Sequence, residues 1–356
     1  MAHGENAPLN ITPGAIRFNT DSMKLEYFRI GMEGGSTSSY AGIGTLAAGE
    51  WVQLTTDTPE VQTGGTRGLL AGGFVAPASK DIIDYINIAT TGNAIDFGNL
   101  TVARRESSGF SNRTRALWAG NAVPGSNNTI DVVTIASTGN ATDYGDLLSA
   151  TSNCQSFAGL ANATRGMFAG GTTGTRQDII QYTTIDTNGN TIDFGNLTAA
   201  TGAPAGAGNA TRGLFMGGSA PGNVNTITFV TISTQGNAAD FGDLTLADQS
   251  GGASSNAVRA LYFTSDAATI NYLTIATLGD ALDFGDLTSA TNHYSGGSPS
   301  SSTRACYGGG GFPSTTDVID YVQIMTTGNS VDFGNLTVAR NLMMRGNCSN
   351  GHGGLG

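Results

Sequence analysis

The sequence predicts an all-β fold: six four-stranded antiparallel units closed into a ring, preceded by a small N-terminal β module. Two observations predict it. The first is a period. Asp-Phe/Tyr-Gly-Asn/Asp-Leu recurs at Asp96–Leu100, Asp143–Leu147, Asp193–Leu197, Asp240–Leu244, Asp283–Leu287 and Asp332–Leu336, with spacings of 47, 50, 47, 43 and 49 residues. A fixed period of this length marks a repeat architecture. The second is composition. Of 356 residues 12% are charged and 39% hydrophobic, and the hydrophobic residues fall in short regular runs that disordered chains lack. From Ser107 onward there is no Lys and no Glu, while Thr, Ile, Val, Gly and Asn abound, a bias toward strands and turns.

Residues 1–57 stand outside the period. They contain Pro13-Gly-Ala-Ile-Arg17-Phe18-Asn19-Thr-Asp21, then Lys24-Leu-Glu-Tyr27 and Glu50-Trp51-Val-Gln-Leu54. Residues 58–356 hold the repeats, each with four strand-like pieces. In the second, Arg105–Asn112 is a lead-in and Arg115–Gly120 a short apolar run. Thr129–Ala136 alternates, and Ala141–Leu147 ends in the motif. Between the third and fourth pieces every repeat has Gly-Asn or Gly-Asp, from Gly92-Asn93 to Gly328-Asn329. Both residues tolerate positive φ, so the pair reads as a tight hairpin. Four antiparallel strands per unit make a β-propeller blade.

The ring's closure is also predicted. The first repeat lacks a lead-in, since Asp57–Gly65 is unlike Arg105–Asn112, whereas Arg340–Asn350 is an orphan lead-in after the last motif. The simplest account has this segment completing the first blade and removing exposed edges.

These features resemble the kelch family. Thr211-Arg212-Gly-Leu-Phe-Met-Gly-Gly218 is similar to its Gly-Gly strand, and Asp84-Tyr85 and Asp320-Tyr321 to its Tyr strand. Phe97, Tyr144, Phe194, Phe241, Phe284 and Phe333 stand where kelch blades usually carry Trp. The resemblance covers residues 66–356 and implies architecture rather than function. The N-terminal segment, through Arg17, Phe18, Asn19, Asp21, Tyr27 and Trp51, resembles a β-structured segment of bacteriophage tail-fibre and virion proteins, apart from a longer Gly/Ser insertion at Gly31–Gly49. The Gly-Asn-x-x-Asp-Phe-Gly-Asp-Leu-Thr phrase is similar to structural proteins of marine, cyanobacteria-infecting phages. These resemblances imply a non-enzymatic virion protein made in the host cytoplasm, a tail fibre or appendage in preference to a head fibre or capsid decoration. Its partners would be other virion proteins through the N-terminal module, further copies of itself, and a host-surface glycan or protein.

A net charge of −11 with pI near 4.5 argues against nucleic-acid binding. No apolar stretch approaches the roughly 20 residues of a membrane span, and the first residues lack a secretory pattern. Cys154, Cys306 and Cys348 read as reduced apolar residues.

A residue present in every repeat is expected to build a blade. Each repeat has one Arg before its apolar strand: Arg67, Arg115, Arg165, Arg212, Arg259 and Arg304. Their phase relative to Asp96, Asp143, Asp193, Asp240, Asp283 and Asp332 predicts one carboxylate–guanidinium contact per blade or junction. Asp186-Thr-Asn188-Gly-Asn190-x-x-Asp193 mimics a calcium loop but reads as a hairpin. His3, His293 and His352 are isolated, and His352 is assigned to the closing strand. Asp-Phe-Gly lacks the other kinase motifs, and no Ser-His-Asp or Cys-His set can be assembled. A galactose-oxidase-like copper site has no clustered Tyr, His and Cys, though a carbohydrate-active propeller stays open as the alternative. Many Asn-x-Thr sequons occur, among them Asn99, Asn140, Asn196, Asn209 and Asn335, and they read as by-products of the repeat. No cofactor or metal is expected. Variable loops between the second and third strands of each unit, carrying Lys80, Asn127, Arg176, Asn223 and Phe312, are the candidate binding surface.

Overall fold

The computed structural model describes residues 15–19, 24–30, 49–53, 66–120, 128–148, 155–265, 267–289, 296–311, 314–343 and 345–355. Its contacts separate two units, Met1–Gln62 and Thr63–Gly356. In the first, β1 (Ile16–Asn19), β2 (Lys24–Ile30) and β3 (Gly49–Gln53) form an antiparallel sheet in that order. Arg17, Phe18 and Asn19 lie on β1, Tyr27 on β2 and Trp51 on β3; Asp21 lies outside the described residues.

The second unit is a six-bladed β-propeller of antiparallel sheets. Blade 3 shows the pattern: Ala158–Ala161, Arg165–Ala169, Ile179–Thr184 and Ile192–Asn196 run from the inner to the outer strand. Burial falls from the inner strands to the outer one. The second strand is buried along Gly166–Ala169, and the outer strand buries Phe194 while exposing Ile192 and Asp193.

Inner strands are built mostly from Gly, Ala and Ser, apart from Phe110 and Leu160, because neighbouring backbones meet around the axis. A Cβ on Gly159 would stand 2.5 Å from the Gly109 carbonyl, and one on Gly206 2.6 Å from that of Gly159. Apolar clusters span the blade junctions instead; one joins Phe97 and Leu100 of blade 1 to Trp118 and Val133 of blade 2.

The closure is as expected. Leu69 N–H donates to the Cys348 carbonyl (2.8 Å), Ser349 pairs with Gly68, and Asn350 Oδ1 accepts from Arg67 N–H (2.9 Å). The C-terminal segment is therefore the inner strand of blade 1.

The motif itself builds a seam. Its aromatic residue sits at a register shift: Ile130 faces Gly145 and Asp131 faces Asp143, so Tyr144 is the extra residue of a bulge that turns its ring into the core. At the junction of blades 1 and 2, Gly139 N–H donates to the Phe97 carbonyl (2.8 Å) and Ala141 N–H to the Asn99 carbonyl (2.8 Å), while Asn140 Oδ1 accepts from Asn99 N–H (3.1 Å). The same three bonds recur at the other five junctions, ending with Gly92, Asn93 and Ala94 against Phe333 and Asn335. The motif Gly is required because its φ is positive and the next hairpin lies against it. On Gly145 (φ 151°) a Cβ would stand 2.5 Å from the Gly189 carbonyl.

The expected Asp–Arg pairing is corrected. Each motif Asp is exposed, because it neighbours the buried aromatic in the strand and faces the other way. Each repeat Arg donates instead to a carbonyl of the following blade: Arg67 to Ile135 (3.1 Å), Arg165 to Ile232 (2.9 Å) and so around to Arg304 on Ile88 (3.2 Å). Five of them also lie over a third-strand ring, as Arg259 does over Tyr272 at 4.6 Å. In blade 2 the ring's position holds Val132, and Arg115 takes Asn188 Oδ1 (2.9 Å) instead.

Candidate functional site

The hairpins and the C-terminal turn lie at one end of the propeller. The strand-joining loops and the entries to the inner strands lie at the other, because four antiparallel strands alternate their connections between two faces.

At the hairpin end the axis is capped by Gly353–Leu355, a 3-10 turn. His352 is buried there. Its Nε2–H donates to the Ser111 carbonyl (2.7 Å) and its Nδ1 accepts from Gly354 N–H (3.1 Å). This is the neutral ring, and burial lowers its pKa to about 4.

At the loop end each described entry to an inner strand passes through a residue at positive φ: Glu106 (52°), Ser156 (55°), Ala203 (56°), Ser250 (66°) and Leu342 (48°). Their backbones form a chain around the axis. Glu106 N–H donates to Leu342 (2.9 Å), Ser156 to Glu106 (2.6 Å), Ala203 to Ser156 (2.7 Å) and Ser250 to Ala203 (3.1 Å). Arg345 of the closing strand is buried beside it, donating to Ser250 Oγ (3.2 Å) and Ser156 Oγ (3.5 Å). Burial lowers the pKa of Arg345, against the pull of Glu106, Tyr262, Tyr307 and Asp248. Asp248 in turn accepts from Tyr262 Oη (2.9 Å) and from Ser265 N–H and Oγ (2.8 Å each).

A cavity of about 590 Å³ opens at this mouth, lined by Glu106, Gln155, Ser156, Arg176, Gln249 and Ser250 among others. Arg176 holds two loops together, donating Nε and Nη2 to Ser219 Oγ (3.0 and 2.8 Å) and Nη2 to the Pro221 carbonyl (2.8 Å). The cavity's chemistry is hydroxyl, amide, one guanidinium and one carboxylate. It can exchange hydrogen bonds with a polar ligand. Among the described residues no three His, Cys, Asp or Glu side chains converge as a metal site.

Between blades the same face carries a slot. At the junction of blades 1 and 2, Arg104 enters it, donating to Asp131 Oδ1 (3.0 Å) and the Thr129 carbonyl (2.8 Å), while Thr101 N–H donates to Asp131 Oδ2 (3.1 Å). Arg340 and Asp84 pair likewise at 2.9 Å between blades 6 and 1; both pairs are fully buried. Burial raises the pKa of Asp131 and lowers that of Arg104, each opposed by its partner. Between blades 3 and 4 the corresponding residues are Thr201 and Thr228, and a cavity of about 260 Å³ remains.

Of the loop residues singled out from sequence, Arg176 lies at the axial cavity. Asn223 pairs with Ser219 in the adjacent turn. Lys80 lies within the third strand of blade 1, Ala78–Asn87, whose short hairpin with Phe74–Val75 replaces a loose loop. Asn127 and Phe312 lie outside the described residues. Asp186, of the calcium-like stretch, accepts from Asn112 Nδ2 (2.7 Å), which ties one blade to the next. Sequence reasoning missed the positive-φ ring and the buried arginines. Both left a trace. Ring residues fall ten positions after the motif Asp in four blades, as in Asp96 to Glu106, and Asn-Leu-Thr-Val-Ala-Arg occurs identically at Asn99–Arg104 and Asn335–Arg340.

No protein-family model matches the chain, and no curated protein matches it.

Proposed function

We propose that this chain is a non-enzymatic structural protein of a bacteriophage particle, a tail fibre or other tail appendage. Its N-terminal module joins it to other virion proteins, and a kelch-like propeller is displayed toward the host surface. The observation that carries this reading is the division of the propeller. One end repeats the same backbone seam at all six junctions, and the other end concentrates unlike side chains around an open polar cavity. A rigid ring with variation on one face suits display and contact rather than turnover. The N-terminal resemblance is what supports a virion as the setting of that display. Copies arranged by particle symmetry would add weak contacts into avidity.

The test is mass spectrometry and cryo-EM of purified particles. Density for the propeller at the tail is the expected result. Density on the head supports the head-fibre or decoration alternative. Absence from particles, with turnover of a polysaccharide by the purified chain, sinks the structural reading.

A further inference from the structure

We propose that the axial mouth at the loop end is a binding site for a neutral, polyhydroxylated ligand, a saccharide unit, held by ring side chains and Arg176. The inference deepens the display reading, on which it rests only for its biological setting.

Backbone conformation is the first ground. Among the described residues the chain adopts positive φ at 23 glycines and at five other residues, and all five belong to the ring. Side chains are disfavoured in that conformation, and this chain puts glycine there everywhere else. A requirement of the backbone alone would be met by glycine at the ring too. The side chains are therefore kept for what they touch.

The second ground is that the ring repeats in backbone but not in chemistry: Glu106, Ser156, Ala203, Ser250 and Leu342. The seam, by contrast, keeps Gly and Asn or Asp at every junction. Of the ring residues, Glu106, Ser156, Ala203 and Ser250 line the cavity, where a single asymmetric ligand would meet carboxylate, hydroxyl and methyl groups.

Charge gives the ligand class. Glu106 and Arg176 are the charged groups among the described lining, and their formal charges cancel. Arg345, buried beside the ring, has Asp248 and Glu106 acting against its loss of charge. A net-charged ligand would meet no surplus of opposite sign. A polyol exchanges hydrogen bonds with hydroxyls, amides, carboxylate and guanidinium alike, and a volume of about 590 Å³ lies in the range of small-molecule pockets. Ser156 and Ser250 serve Arg345, Glu106 accepts from Ser156 Oγ (3.1 Å) and Arg176 donates to Ser219 and Pro221. A ligand therefore shares groups already hydrogen-bonded within the mouth, and the two charged ones, Glu106 and Arg176, are the residues to vary.

The experiment is saturation-transfer NMR of the full chain with methyl glycosides of glucose, galactose, mannose and N-acetylglucosamine at millimolar concentration, with acetate and methylammonium as charged controls. Transfer to at least one neutral glycoside is expected. Glu106→Gly and Arg176→Ala should each weaken it by about tenfold or more. The melting temperature of Glu106→Gly balances the relieved positive φ against the lost acceptor of Ser156 Oγ and the lost carboxylate beside Arg345, and is read to establish that the variant is folded at the temperature of the binding assay. Three outcomes overturn the inference: no glycoside signal, binding of a charged control alone, or unchanged binding in both variants. A propeller present on particles that binds no glycoside overturns this inference alone; glycoside binding by a chain absent from particles overturns the display reading alone.

Discussion

At the hairpin face, blade 1 meets blade 2 and blade 3 meets blade 4 through the same three bonds, made by Gly139, Asn140 and Ala141 in one case and Gly236, Asn237 and Ala238 in the other. At the loop face these junctions part company. One buries Arg104 against Asp131; the other holds Thr201, Thr228 and a cavity of about 260 Å³. The seam is made mostly of backbone, which every residue supplies, so it needs only a glycine and an Asx acceptor to repeat. The slot is made of side chains, so its occupant can change from junction to junction while the seam keeps the blades in place.

The largest effect should come from unpairing a filled slot. Asp84→Ala leaves Arg340 buried without its carboxylate and should cost about 3–5 kcal/mol, against about 1 kcal/mol or less for Thr228→Ala at the open slot. Denaturant unfolding of both variants measures the contrast, and equal losses would break it. Next is the seam. On Gly285 (φ 144°) a Cβ would stand 2.5 Å from the Gly328 carbonyl, so Gly285→Ala should cost about 2–4 kcal/mol in the same assay. A value below that range would show that the hairpin yields. Third, Thr201→Arg and Thr228→Asp should each destabilise alone, and together recover about 2 kcal/mol in a double-mutant cycle; additive losses would mean that the open slot has a different shape. The smallest effect concerns Val132. It occupies the position that holds a ring in the other blades, and a cleft of about 230 Å³ lies between Arg115, Val132 and Asn188. Val132→Tyr should restore the cation–π contact and raise stability by about 0.5–1 kcal/mol, read as a higher melting temperature.

Much of the fold was legible because a period of alternating strands and Gly-Asn turns has few closed solutions, and the orphan lead-in at Arg340–Asn350 had one blade to complete. Pairing of Arg67 with Asp96 failed for a physical reason. Matched phase shows that two residues recur together, but not which face of a strand each occupies, and the bulge at Phe97 turns Asp96 outward. The candidate site was harder to see. Its lining comes from residues 106, 155–156, 172, 174–176, 202–203, 219 and 249–250, outside the motif and unlike one another, so periodicity gives them no weight. Positive φ at the five ring residues is likewise invisible in a sequence whose other positive-φ residues, among those described, are glycines. Arg176 was found because it lies in a loop chosen for variability, not for its contacts.

The inner strand of blade 1 has a consequence for how the molecule is made. Asn350 meets Arg67 across 283 residues, so a ribosome has produced five finished blades before the first can be completed. Until Cys348 and Ser349 emerge, the strand Arg67–Ala71 keeps its axial edge unpaired and open to any other chain that offers one. Neighbouring nascent copies on one message are the nearest source of such a strand.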